Sequence, residues 1–136
     1  KTLGDYDLVL DGTDNYVTRY LINHHCFKLK KPLLFGAISQ WDGQVGLYDP
    51  RGTSPCFECL FPEQVSLQSE DNCSQNGVLG PLVGVIGSLM ATEAIKFFTH
   101  AGKILTNELI LYEALAGNMR RYKTKVRKDC KVCGDL

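Results

Sequence analysis

With 136 residues, 44% of them hydrophobic, the chain has the size of one ordinary domain and enough apolar material for a sizeable core. Fifteen basic residues balance fifteen acidic ones, which removes any global case for nucleic acid or an anionic membrane surface and makes every charge effect local. The longest uncharged stretch, Asn72 to Thr92, offers about 15 apolar or small positions where a membrane span needs roughly 20, so a buried helix is expected there.

In chain order the pattern predicts a strand over 7–11, a helix over 15–29, strands over 33–38 and 43–49, a loop to about 76, a helix over 78–99, and strands over 108–113 and 119–126. Val9 and Leu10 belong to an apolar run, and Val17, Leu21, Ile22 and Phe27 recur at helical spacing. "KKPLLFGAI" reads as a second buried strand, so the first unit is a parallel strand-helix-strand crossover. "GQVGLYD" alternates behind "WDG", a tight turn, and should fold back antiparallel. The expected fold is therefore α/β with a mixed sheet. No internal repeat or low-complexity segment interrupts it.

"DLVLDGTDN" runs from the first strand into Asp11, Thr13, Asp14 and Asn15. Beyond the carboxyl end of a strand is where ligands of open α/β sheets collect, and carboxylates there suit a hydrated Mg²⁺ shared with phosphate oxygens. The plainer alternative is that Asp14 or Asn15 simply caps the next helix. The chain has neither a G-x-G-x-x-G nor a Walker loop to cradle phosphate, and its first strand arrives without parallel neighbours on the other side, which suggests a missing half.

Six cysteines in a chain with no basic, apolar leader, expected to be cytoplasmic, favour metal or catalysis over disulfides. Cys56 and Cys59, and again Cys130 and Cys133, stand at C-x-x-C spacing and together supply four thiolates for a closed tetrahedral Zn²⁺ site. The 70 residues between the pairs far exceed the roughly 15–20 of a compact zinc ribbon, so such a metal would clamp a mid-chain loop to the tail. Arg127, Lys128 and Lys131 lie where they could offset the centre's negative charge. A redox C-x-x-C is the rival, but it normally opens a helix, whereas Pro55 and Pro62 bracket a loop here.

Cys73 stands between a polar stretch and the start of the long helix, whose dipole would lower a thiol pKa, while Glu58, Glu63, Glu70 and Asp71 would raise it. Reactive thiol and bystander both remain open from the residues alone. Cys26 reads as a small core residue. In the long helix Gly80, Gly84 and Gly87 share a face expected to approach the sheet or a partner, with Val83, Ile86, Met90 and Ile95 supplying core contacts. His24, His25 and His100 show no ligand spacing. "RRYKTKVRK" reads as a half-solvated edge strand in preference to a nucleic-acid patch.

The motifs "DLVLDGTDNYVTR", "CFECLFP", "DNCSQNGVLGPLVGVIGSLMATEAIKFF" and "CKVCG", in this order, give a chain that resembles the C-terminal part of the MoeB/ThiF family. The resemblance covers essentially the whole chain. It implies a Rossmann-like mixed-sheet fold that binds Mg-ATP, adenylates the C-terminal glycine of a ubiquitin-like sulfur-carrier protein of the ThiS or MoaD type, and works as a homodimer. It assigns Asp14 to Mg²⁺ and the ATP phosphates, with Asn15 and Arg19 completing a D-N-x-x-x-R element, and Cys56, Cys59, Cys130 and Cys133 to structural zinc. Cys73 matches a cysteine that in some members takes the activated carrier into a covalent adduct. The family's glycine-rich nucleotide loop has no counterpart in this chain, so a C-terminal portion of an adenylating domain is expected, inactive alone. The alternatives are a non-catalytic zinc-stabilised docking module, and a redox protein that would hold no metal.

Overall fold

The computed structural model describes residues 2–63 and 77–134. Cys73 and the polar stretch from Gln64 to Asn72 lie outside the described residues, as does any structure they form.

A short 3-10 turn, Thr2–Asp5, leads into β1 (Val9–Asp11), α1 (Tyr16–Lys28), β2 (Leu33–Ser39) and β3 (Asp42–Tyr48). A one-turn helix α2 (Phe57–Leu60), the long α3 (Gly80–Thr99), β4 (Glu108–Glu113) and β5 (Asn118–Lys123) complete the described elements. The strands form one sheet in the order β1-β2-β3-β4-β5, parallel between β1 and β2 and antiparallel elsewhere. The mixed sheet, the parallel crossover and the returning hairpin are as the sequence indicates.

Side chains alternate between two cores, as a period of two requires. Leu34, Val45, Leu47 and Ile110 pack against Leu82, Ile86 and Met90 of α3. On the opposite face Val9, Leu33 and Tyr48 pack with Cys26 of α1 and the four paired cysteines.

Two periodicity readings are corrected. In α1 the fully buried residues are Arg19, Asn23 and Cys26, while Val17 and Leu21 are 70% and 57% exposed. Those buried positions fall at i, i+4 and i+7, so the inward face of this helix is largely polar. In α3, Val83 and Ile95 are exposed instead of supplying core contacts. Its glycines do not face the sheet either, because a Cβ at Gly80, Gly84 or Gly87 would meet nothing within 4 Å.

The close approach is made from the strands. A Cβ at Gly36 would lie 2.3 Å from Met90 Sδ, and one at Gly43 would lie 2.4 Å from Ile86 Cδ1. The β2-β3 turn is Gln40–Trp41, so Gly43 already belongs to β3 and serves the helix contact. α3 is also less buried than expected: by length and composition it is apolar enough to cross a membrane, and 22% of its most apolar window is buried. Glu93 fixes it to the domain, since this buried carboxylate accepts a hydrogen bond from Leu105 N at 3.1 Å and pairs with Lys96 at 2.6 Å.

β5 is an edge strand as expected, but it ends at Lys123 and all its residues are exposed where a half-solvated strand to residue 126 was expected; two of its bases pair with β4, Arg121 with Glu108 at 3.3 Å and Arg120 with Glu113 at 3.7 Å. His24, His25 and His100 are exposed.

Candidate functional site

Two features share the α1 face of the sheet: the turn between β1 and α1, and the four-cysteine centre. The turn is built from its ends. Asp11, 2% exposed, accepts through Oδ1 from Thr13 N at 2.9 Å and from Thr13 Oγ1 at 2.7 Å. Asn15 is the N-cap of α1, accepting from Thr18 N at 2.8 Å, so the capping alternative holds for Asn15. Its Nδ2 lies 3.4 Å from Asp14 Oδ1, and Asp14 itself is exposed. The turn thus presents one solvent-facing carboxylate at the carboxyl end of a strand. A single carboxylate fits Mg²⁺, which keeps most of its waters and is commonly held by one or two carboxylates together with phosphate oxygens.

Arg19 points inward. It is 6% exposed, and its Nη2 donates to Thr13 O and to Gly36 O, the latter at 2.9 Å, while Nη1 lies 3.9 Å from Asp11 Oδ2. Its guanidinium also lies over the Phe57 ring, 5.9 Å from the centroid.

Phe57 opens α2, and the first knuckle, Cys56 to Cys59, is this helix with Cys56 at its N-cap. The knuckle therefore does open a helix, contrary to the loop expected between Pro55 and Pro62. α1 holds it in two further places: Asn23 Oδ1 accepts from Phe57 N at 3.0 Å, and Tyr20 Oη donates to Phe61 O at 2.8 Å.

The four sulfurs of Cys56, Cys59, Cys130 and Cys133 are buried and lie within 4.8 Å of one another. Four of their separations are 4.0, 3.6, 3.3 and 3.7 Å. A tetrahedral ZnS₄ with bonds near 2.3 Å has edges of about 3.8 Å, so this centre could hold zinc. The arrangement also separates the metal reading from the redox one, because sulfurs from the two knuckles interleave as one set.

Hydrogen bonding sets the protonation within the set. Cys59 is drawn down, chiefly by the bond from Cys56, against the pull of burial and with help from the Arg127 backbone N–H at 3.4 Å. Cys56 is raised by that same pairing and by burial, and burial raises Cys133. Metal would displace the remaining protons. Arg127 serves the centre through its backbone, since its guanidinium pairs with Asp129 at 3.1 Å.

The four cysteines grouped from the sequence come together in space, and Asp14 lies exposed in the turn after β1. The sequence reading misses Asn23, for which the signal was a polar residue in step with Arg19 and Cys26.

The ThiF family model matches residues 1–132. The chain belongs to the ThiF family. Its relatives include the sulfur carrier protein adenylyltransferase of Thermus thermophilus, 44% identical over 99% of this chain and 51% of the relative. The adenylyltransferase and sulfurtransferase MOCS3 of Aedes aegypti is 43% identical over 99% of this chain and 31% of its own length. The ThiF chain described here therefore spans about half of the first relative and about a third of the second. Among solved structures, E. coli MccB with ATP shares the fold at a TM-score of 0.76 and 22% identity, covering 94% of this chain and 39% of MccB.

Proposed function

We propose that the full-length protein carrying this ThiF chain uses ATP to adenylate the C-terminal glycine of a ubiquitin-like sulfur carrier, of the ThiS or MoaD type, in thiamine or molybdopterin synthesis. The observation that carries the reading is the exposed Asp14 carboxylate, set between Thr13 and the N-cap Asn15 at the carboxyl end of β1. The 44% identity to a sulfur carrier protein adenylyltransferase supports the reaction class.

In this reaction a carrier carboxylate oxygen bonds to the α-phosphorus of ATP as the bond to pyrophosphate breaks, giving an acyl adenylate. Negative charge crowds around phosphorus at that moment, and Mg²⁺, when bound, supplies the neutralising charge. Asp14 would hold that ion, with Asn15 Nδ2 3.4 Å from its carboxylate to steady it. The phosphate cradle itself comes from sequence outside this chain, so the isolated chain does not adenylate.

Cys56, Cys59, Cys130 and Cys133 would hold one structural Zn²⁺, the four thiolates filling its ligand positions. Cys73 is the proposed acceptor of a carrier adduct, and the active form is a homodimer in the cytoplasm. Incubating the full-length protein with a carrier, ATP and Mg²⁺, then weighing the carrier by mass spectrometry, tests the central reading. An AMP-modified carrier C-terminus is expected; an unmodified carrier under conditions where the protein is folded and metal-loaded contradicts it.

A further inference from the structure

Thr13 is held through both of its backbone groups. Its N–H goes to Asp11 Oδ1 at 2.9 Å, and its carbonyl accepts from Arg19 Nη2. Asn15, two residues on, is held as the cap of α1. Asp14 lies between these two fixed residues and is itself exposed. The same Arg19 nitrogen reaches Gly36 O on β2 at 2.9 Å, so one guanidinium ties the carboxyl end of β1 to its parallel neighbour. A buried guanidinium needs acceptors and a counter-charge, and Asp11, 2% exposed with Oδ2 at 3.9 Å, stands where that charge is needed.

We propose that Arg19, with Asp11 as its buried counterion, is the positioning residue of the Asp14 turn, and that it acts through Thr13 and Asp14 in place of touching the nucleotide. This rests on the adenylation reading and revises the role expected for Arg19 beside the phosphates. Its charge faces the protein, where Nη2 serves the Thr13 carbonyl of the turn and the Gly36 carbonyl of β2 while Nη1 lies toward Asp11. Lysine keeps the charge but has one nitrogen in place of two, so it cannot serve both carbonyls and face Asp11 in the same geometry.

The test uses the full-length protein and the variants Arg19→Lys and Asp11→Asn. In ATP-pyrophosphate exchange, Arg19→Lys should lower kcat by on the order of a hundredfold, as a displaced catalytic group does, with the KM for ATP unchanged. A raised KM for ATP with kcat preserved would overturn the proposal.

A second readout does not depend on activity. The Thr13 amide should be protected from hydrogen exchange in the wild type and lose that protection in Arg19→Lys while the global melting transition stays cooperative. Unchanged protection of Thr13 overturns the proposal even if adenylation is never observed, and lost protection without any exchange activity leaves the positioning intact while removing the adenylation reading. Should Arg19→Lys fail to fold, Asp11→Asn, which retains the acceptor for Thr13, is expected to show the same loss in smaller degree.

Discussion

Asn23 on α1 accepts the backbone N–H of Phe57 at 3.0 Å, immediately after the cysteine that begins the first knuckle. Both residues are buried, so this bond sets the start of α2 and with it the direction of Cys56. Arg19, one helical turn earlier, lies over the same Phe57 ring while holding the Asp14 turn. The metal-type centre and the carboxylate turn are therefore braced by one face of one helix.

Removing that acceptor should be felt at the centre. Asn23→Ala leaves a buried N–H without a partner, at a cost of about 1–3 kcal/mol. Denaturant unfolding should show that loss, and a competing chelator should strip zinc faster than from the wild type. Equal stability and equal release would show that α2 does not depend on Asn23.

Zinc should be present at one equivalent per chain, bound with an apparent ~10–16 kcal/mol that is also folding energy. Cys130→Ser should accordingly lower the unfolding transition and not merely slow a reaction. Because Cys56 and Cys133 hold their protons more firmly than an ordinary thiol, binding releases protons, and a chelator should extract the metal more readily as pH falls. Metal analysis finding far less than one equivalent in intact protein would remove the site.

Gly36→Ala introduces a methyl 2.3 Å from Met90 Sδ and should destabilise by about 1–3 kcal/mol through overpacking. Combining it with Met90→Ala should cost less than the two single changes added together, because the second opens the space that the first fills. Strict additivity in thermal or denaturant unfolding would place the strain elsewhere.

Cys26 makes an alkaline prediction. Burial, aided by the nearby Asp11 charge, raises its thiol from 9.0 to about 11, so the folded state keeps a proton that the unfolded chain begins to lose at 9.0. Its contribution is complete below that value and is lost as pH rises through about 11, a change of about 2–3 kcal/mol. The Cys26→Ala variant should show a flatter fall in stability over that window; parallel curves would show that the thiol does not sense folding.

What the sequence made legible follows from the kind of signal each element carries. Two C-x-x-C pairs point to a four-ligand centre whatever the path between them, because four thiolates together suit one tetrahedral metal site. The parallel β1-α1-β2 unit was readable from unbroken apolar runs. The inward face of α1 was not, because hydrophobic periodicity points to Val17 and Leu21, whereas the helix turns Arg19 and Asn23 inward to satisfy backbone groups of the turn, β2 and α2. Local pattern fails where a site is being braced. Gly43 was misread for a related reason, since a glycine beside a turn looks like turn chemistry until the side chain above it, Ile86, is seen.

The measurement that bears most directly on the account is carrier-dependent ATP-pyrophosphate exchange by the full-length protein, compared with its Asp14→Ala variant. Both proteins should hold one zinc and melt alike, because Asp14 is exposed and its carboxylate bears no part of the core. The wild type should catalyse exchange and Asp14→Ala should reduce it to background. Exchange at the wild-type rate in Asp14→Ala, or its absence from the folded, metal-loaded wild type with a cognate carrier, would contradict the assignment of this turn to adenylation.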